Sequence, residues 1–192
     1  VEELSNKLEK DQLFDTADKL KQNAKNQQQK LEQLVELTKR FYVEQKAEQI
    51  ADKLDKLAEK EDKLADDAKE NSKENQDAIN KEFEDIQKEL QELDKENKEL
   101  KVPMDIPNDK NEQEDVKEDL EKASDELKKQ NQQKAKPKQK SASKKMKEMS
   151  KKMSESMSAG EMEQMEEDAK LLRQILDNLL AFSLSQEDLM YQ

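Results

Sequence analysis

The chain is expected to be all-α, with long amphipathic helices that form antiparallel coiled-coil hairpins or an elongated helical bundle. Three observations lead there. Of its 192 residues 31% are hydrophobic and 44% charged, which is too little apolar surface for a thick core but enough for narrow seams. One glycine, three prolines and six aromatic residues leave sandwiches, barrels and doubly wound sheets without turn punctuation or β-branched runs. Leucine-type residues recur at steps of three and four, a periodicity that a disordered chain of the same charge has no reason to keep.

Residues 1–102 read as a long helical region, free of glycine and proline, with apolar positions at Leu4, Leu8, Leu31, Leu34, Phe41, Ile50, Leu54, Leu57 and Leu64. The series ending at Thr38 and Phe41 does not join Ile50, Leu54 and Leu57 in steps of three and four. A stutter or bend is therefore expected near Val43 to Lys46. The stretch KENSKEN at 69–75 has no apolar side chain and offers Asn71 or Ser72 as a helix N-cap, so it is either a turn or continuous helix. The clearest seam follows as Ile79, Phe83, Ile86, Leu90, Leu93, Asn97 and Leu100, alternating four and three residues apart. Asn97, its one polar member, either sets register or partner number, or lies in a frayed last turn before Pro103.

Pro103 and Pro107 frame a hinge loop at 103–109. Asp109 and Glu112 form a capping-box pair that opens a helix over 110–157, with Val116, Leu120, Ala123 and Leu127 on its apolar face. Pro137 is expected to kink this helix and not to end it, because the pattern resumes at Met146, Met149 and Met153. Ser158, Glu161 and Gly160 predict a break, after which 158–192 forms a C-terminal helical segment. That segment carries the widest apolar face of the chain, including Leu172, Ile175, Leu176, Leu179 and Phe182.

The absence of cysteine and histidine removes thiol nucleophiles, histidine bases and the usual zinc ligand sets, and a single glycine removes phosphate-cradling loops. No catalytic residue, cofactor, metal or small-molecule substrate is expected. The net charge of −12 is uneven: between Lys128 and Lys152 eleven lysines stand against one acid, Glu148. Such a block suits nucleic acid or an anionic membrane, but it has no arginine or aromatic residue for forked contacts or stacking. It reads instead as a solvated face or one that meets the acidic helices of the same chain, and no nucleic acid is expected as a partner. Methionines at 146, 149, 153, 157, 162 and 165 are soft thioethers that suit copper(I), yet their spacing is that of a helix seam.

Several segments, in order, resemble a family of large membrane-anchored envelope proteins from Bacteroidota, known as a domain of unknown function with a long periplasmic coiled-coil region. These are LTKRFYVEQK at 37–46, IADKLDKLAEKEDKLAD at 50–66, NKEFEDIQKELQELDKENKELKVPMDI at 80–106, QKSASKKMKEMSKKM at 139–153 and MEQMEEDAKLLRQILDNLLAFSLSQEDLM at 162–190. Pro137 and the lysines around it depart from the smoother helix of that family. The resemblance implies an internal part of a longer protein, on the periplasmic face of the envelope, anchored to the inner membrane by segments outside this chain. It carries over no activity. The start at Val1 and the end inside a helical turn at Leu189 to Tyr191 agree with such a fragment. The expected function is a non-enzymatic scaffold or spacer that meets a protein partner, or itself, through helical seams, with a periplasmic holdase or client-binding module as the alternative.

Overall fold

The computed structural model describes the backbone of residues 2–190 and the side chains of 17–158, together with Lys170, Arg173, Leu176 and Asp177. Among the described residues there are four helices: α1 (Glu2–Asp66), α2 (Lys73–Lys98), α3 (Lys110–Lys128) and α4 (Gln132–Met190). Among the described residues there is no strand. The chain divides into two units, one made of Arg40–Glu166 and the other of Val1–Lys39 with Glu167–Gln192.

The Arg40–Glu166 unit is a four-helix bundle, and its side-chain pairs give the direction of each helix. Lys46, Lys53 and Lys60 of α1 reach Glu96, Glu89 and Glu82 of α2 at 2.9, 2.6 and 2.7 Å. The numbers climb by seven on one helix and fall by seven on the other, so α1 and α2 run antiparallel. The same reasoning sets α4 against α1: Ser143 and Ser150, seven apart, donate to the carbonyls of Ala58 and Ala51 at 2.7 Å. Hydroxyl to carbonyl contact across two helices needs a close approach, which the small side chains Ala51 and Ala58 allow. Helix α3 is antiparallel to α2 through Asn80 with the Leu120 carbonyl and Ser124 with Asp77. It is antiparallel to α4 through Asp119 with Lys145 and Glu112 with Lys152. Up-down-up-down order with short connections is the simplest way to close four amphipathic helices around one core.

The core is filled from each helix at steps of three and four. Val43, Ala47, Ile50, Leu54, Leu57 and Leu64 face in from α1, and Ile79, Phe83, Ile86, Leu90 and Leu93 from α2, with Leu100 just past its end. Val116, Leu120, Ala123 and Leu127 face in from α3, and Ala135, Ala142, Met146, Met149 and Met153 from α4. Met104 and Ile106 of the proline loop pack against this cluster.

Two boundaries differ from the sequence expectation, and the stutter or bend expected near Val43 to Lys46 falls within continuous helix. Helix α1 runs unbroken through Val43–Lys46. The register mismatch is resolved by Phe41, which is exposed at 61%, while Val43 and Ala47 carry the Ile50 series backwards. Helix α4 also runs unbroken through Ser158–Glu161. Ser158 donates its hydroxyl back to the Ser154 carbonyl at 2.9 Å, the bond of a residue inside a helix and not of a cap. A lone glycine between good helix formers costs only about 1 kcal/mol, too little to stop such a helix.

The stretch 110–157 is two helices, broken at Lys129–Asn131 and not at Pro137, which lies inside α4. The Asn131 amide donates to the Glu126 carbonyl and the Gln130 amide to the Leu127 carbonyl, both at 2.8 Å, with Gln130 at φ 59°. That is a left-handed helix terminator built without glycine, so no sequence signal announced it. Asn131 then caps α4, its side chain accepting from the Lys134 amide at 3.3 Å. Asp109 caps α3 as expected, but Glu112 turns to Lys152 and does not complete a capping box. The stretch 69–75 is a turn followed by the start of α2, capped by Ser72.

Candidate functional site

The seam residues singled out from sequence meet one another inside the chain. Ile79, Phe83, Ile86, Leu90, Leu93 and Leu100 of the α2 side are buried, as are Met146, Met149 and Met153 of α4. Their apolar surface is therefore occupied within the bundle. Met157 is buried with them, so the described thioethers serve packing. Asn97 is also buried, and its amide forms a reciprocal pair with Met104: Nδ2 donates to the Met104 carbonyl and the Met104 amide donates to Oδ1, both at 2.8 Å. The side chain imitates a strand of backbone and ties the proline loop to the end of α2. Leu172, Ile175, Leu179 and Phe182 have side chains outside the described residues. Leu176 is described, and it is 61% exposed.

At the end of the bundle beside the α1–α2 turn, three of the four helices place a polar residue where the seam calls for an apolar one. Stepping four from Leu57 reaches Glu61, stepping back three from Ile79 reaches Gln76, and stepping back three from Ala142 reaches Gln139. All three are fully buried. Gln76 Nε2 donates to both Glu61 carboxylate oxygens, at 3.0 and 3.1 Å, and to Asn80 Oδ1 at 3.0 Å. Gln139 Nε2 donates to Gln76 Oε1 at 2.7 Å and to Asn71 Oδ1 at 2.9 Å, and Asn71 Nδ2 returns a bond to Gln139 Oε1 at 3.0 Å. Burial pushes the Glu61 carboxyl up to about 7, with the Gln76 hydrogen bond acting in the opposite direction. Sequence reasoning passed over these residues because it listed apolar positions. The signal was the unbroken step of three and four that lands on them.

The lysine-rich segment faces the acidic helices. Lys136 and Lys140 of α4 pair with Asp66 and Asp62 of α1, at 2.9 and 2.8 Å. Lys138 and Lys145 converge on Asp119 of α3, at 3.3 and 2.7 Å, and Ser141 donates to the same carboxylate at 2.7 Å. Burial works to raise the Asp119 carboxyl, but the bonds from Lys145 and Ser141 and the two nearby charges hold it below the usual carboxylate range. Part of the basic block is thus matched to acids of the same chain.

A groove of about 300 Å³ lies between α1 and α4, lined by Glu48, Asp52 and Asp55 opposite Ser150, Ser154, Met157 and Ser158. Two of its serines, Ser150 and Ser158, donate their hydroxyl protons to helical carbonyls. Among the described residues no group of three or more acidic side chains is placed to hold a metal ion. Also among them, no helix is long and apolar enough to cross a membrane. Comparison with protein families, with curated proteins and with solved structures finds no match for this chain.

Proposed function

We propose that this chain is a non-enzymatic structural scaffold or spacer of the bacterial cell envelope, part of a longer membrane-anchored protein and exposed to the periplasm. The observation that carries the mechanical part of this reading is the closure of the Arg40–Glu166 unit on itself. Its seam residues are buried, with Phe41, Tyr42 and Val102 left open outside the seams, and a lysine-rich helix is matched by acidic ones. A body closed in this way holds its own geometry, which is what a spacer requires. The 26 residues of α2 alone rise about 39 Å at 1.5 Å per residue. The envelope location rests on the family resemblance of the segments between residues 37 and 190. Sedimentation and small-angle scattering of the purified chain test the scaffold: a high axial ratio supports it and a compact sphere overturns it. Fractionation of the producing cell, with the protein recovered in the cytoplasm, overturns the location.

The second reading is a holdase or client-binding module, favoured by apolar side chains left open in the other unit. Leu20, Leu31 and Val35 of α1 and Leu176 of α4 are all exposed. Exposed apolar surface on a helix is what an unfolded client would use. Suppression of aggregation of an unfolded outer-membrane protein by excess chain supports this reading, and no suppression removes it.

A further inference from the structure

The amides of the buried layer Glu61, Gln76, Gln139 and Asn71 can fix helix register, but register alone does not require its ionisable member, Glu61. A hydrophobic residue at each position would pack the same space without an ionisable group. Glu61 is fully buried, yet its two oxygens share one donor, the Gln76 amide. An ionised carboxylate offers about four acceptor positions, so one shared N–H leaves most of them unmet in a medium that solvates charge poorly. The protonated acid carries no charge and exchanges several acceptor positions for one O–H to place, a smaller demand than solvating a buried carboxylate.

No cation on the surrounding elements is bonded to Glu61. Lys60 and Lys63 of its own helix go to Glu82 and Glu59. Lys73 of α2 goes to Asp77, and Lys122 of α3 to Glu118. Lys136, Lys138 and Lys140 of α4 go to Asp66, Asp119 and Asp62. Those lysines are thus taken up by Asp62, Asp66, Asp77 and Asp119 and by surface glutamates, and burial is the dominant influence on Glu61. The layer also has mechanical reach. Asn71 belongs to the α1–α2 turn, Gln139 to α4, and Gln132 of α4 donates to the Ala68 and Asn71 carbonyls of the same turn at 3.0 and 2.8 Å.

We infer that Glu61 and its amide partners form a proton-operated latch. With Glu61 protonated, the α1–α2 turn is held against α4. With Glu61 ionised, the charge draws water in and that end of the bundle loosens. The raised carboxyl value of about 7 places the change near neutral pH. A folded value above the unfolded one means that the folded state binds more protons in the interval between them. The stabilisation is therefore complete below the ordinary glutamate range of about 4.5 and is lost as pH rises through about 7.

The test uses the whole chain. Carboxyl-carbon NMR follows Glu61 directly, assigned by comparison with Glu61→Gln, and amide exchange from Asn71 to Gln76 is compared at pH 6 and pH 8 after correction for intrinsic rates. The expected result is a Glu61 midpoint well above that of the surface glutamates, with protection of the turn lost at the higher pH in the wild type and kept in Glu61→Gln. Relative to Glu61→Gln, the wild-type unfolding constant should rise on the order of 10- to 100-fold between pH 5 and pH 8, while Glu59→Gln tracks the wild type. A Glu61 midpoint in the ordinary range, or turn protection that ignores its ionisation, overturns the latch. If Glu61→Gln does not fold, a carboxyl resonance found titrating near neutral pH together with turn protection in the wild type still decides the matter.

Discussion

At the scale of single residues, buried polar groups define the specificity of this bundle. Asp119 collects Lys138, Lys145 and Ser141, so Asp119→Asn removes the charge that two lysines face and should cost about 1–3 kcal/mol in urea unfolding. Its pH signature is opposite to that of Glu61. A carboxyl held below its unfolded value contributes stability that is present above the ordinary aspartate range and lost as pH falls through the depressed folded value. The acid limb of the wild-type stability curve should therefore flatten in Asp119→Asn, as followed by circular dichroism. Asn97→Ala, which unpairs the Met104 amide and leaves the Met104 carbonyl with the Ile106 amide alone, should cost about 1–2 kcal/mol and raise amide exchange across the proline loop without disturbing the seam above it. The sequence showed Asn97 as an exception in a leucine series. It could not show that the partner lies in the loop, because a side-chain amide has no preference visible in its neighbours.

At the scale of elements, helix continuity was legible where the step of three and four held and was misread where capping residues stood alone. Ser158 and Glu161 have the right spacing for a box, but a serine inside a helix satisfies its hydroxyl just as well on the preceding turn. Gly160→Ala should accordingly raise thermal stability or helicity by an amount matching about 1 kcal/mol, whereas a glycine at a true break would give a loss. The break that sequence reasoning missed depends on Gln130 in the left-handed region, a conformation that costs a residue with a Cβ about 1–2 kcal/mol. Gln130→Gly should stabilise the chain by about 1 kcal/mol, checked by chemical denaturation. Pro137, the more obvious punctuation, does not end α4, although it removes one helical hydrogen bond and its ring crowds the carbonyl of the preceding turn.

At the scale of the whole molecule, the two units differ in how their side chains are covered. Every described side chain from Ala17 to Gln29 is exposed, while Arg40–Glu166 holds the buried core. Limited trypsin digestion should therefore cut first at Lys19, Lys21 or Lys25 and leave a product that retains the Arg40–Glu166 bundle. The lysine-rich stretch from Lys128 to Lys152 offers far more cleavage sites, so early cutting there would show that its helices do not hold the packing described. Composition, periodicity and the scarcity of glycine determined by themselves that this protein is helical and which faces turn inward, because a step of three and four marks one side of a helix whatever it touches. Only the tertiary structure decided that the seams close on one another within the chain, that the lysines face acids of α1 and α3, and that Glu61 lies buried without a cation. The physical reason is that the energy of a buried polar or charged group depends on the donors brought to it from distant parts of the sequence. Periodicity records burial, but it does not record partners.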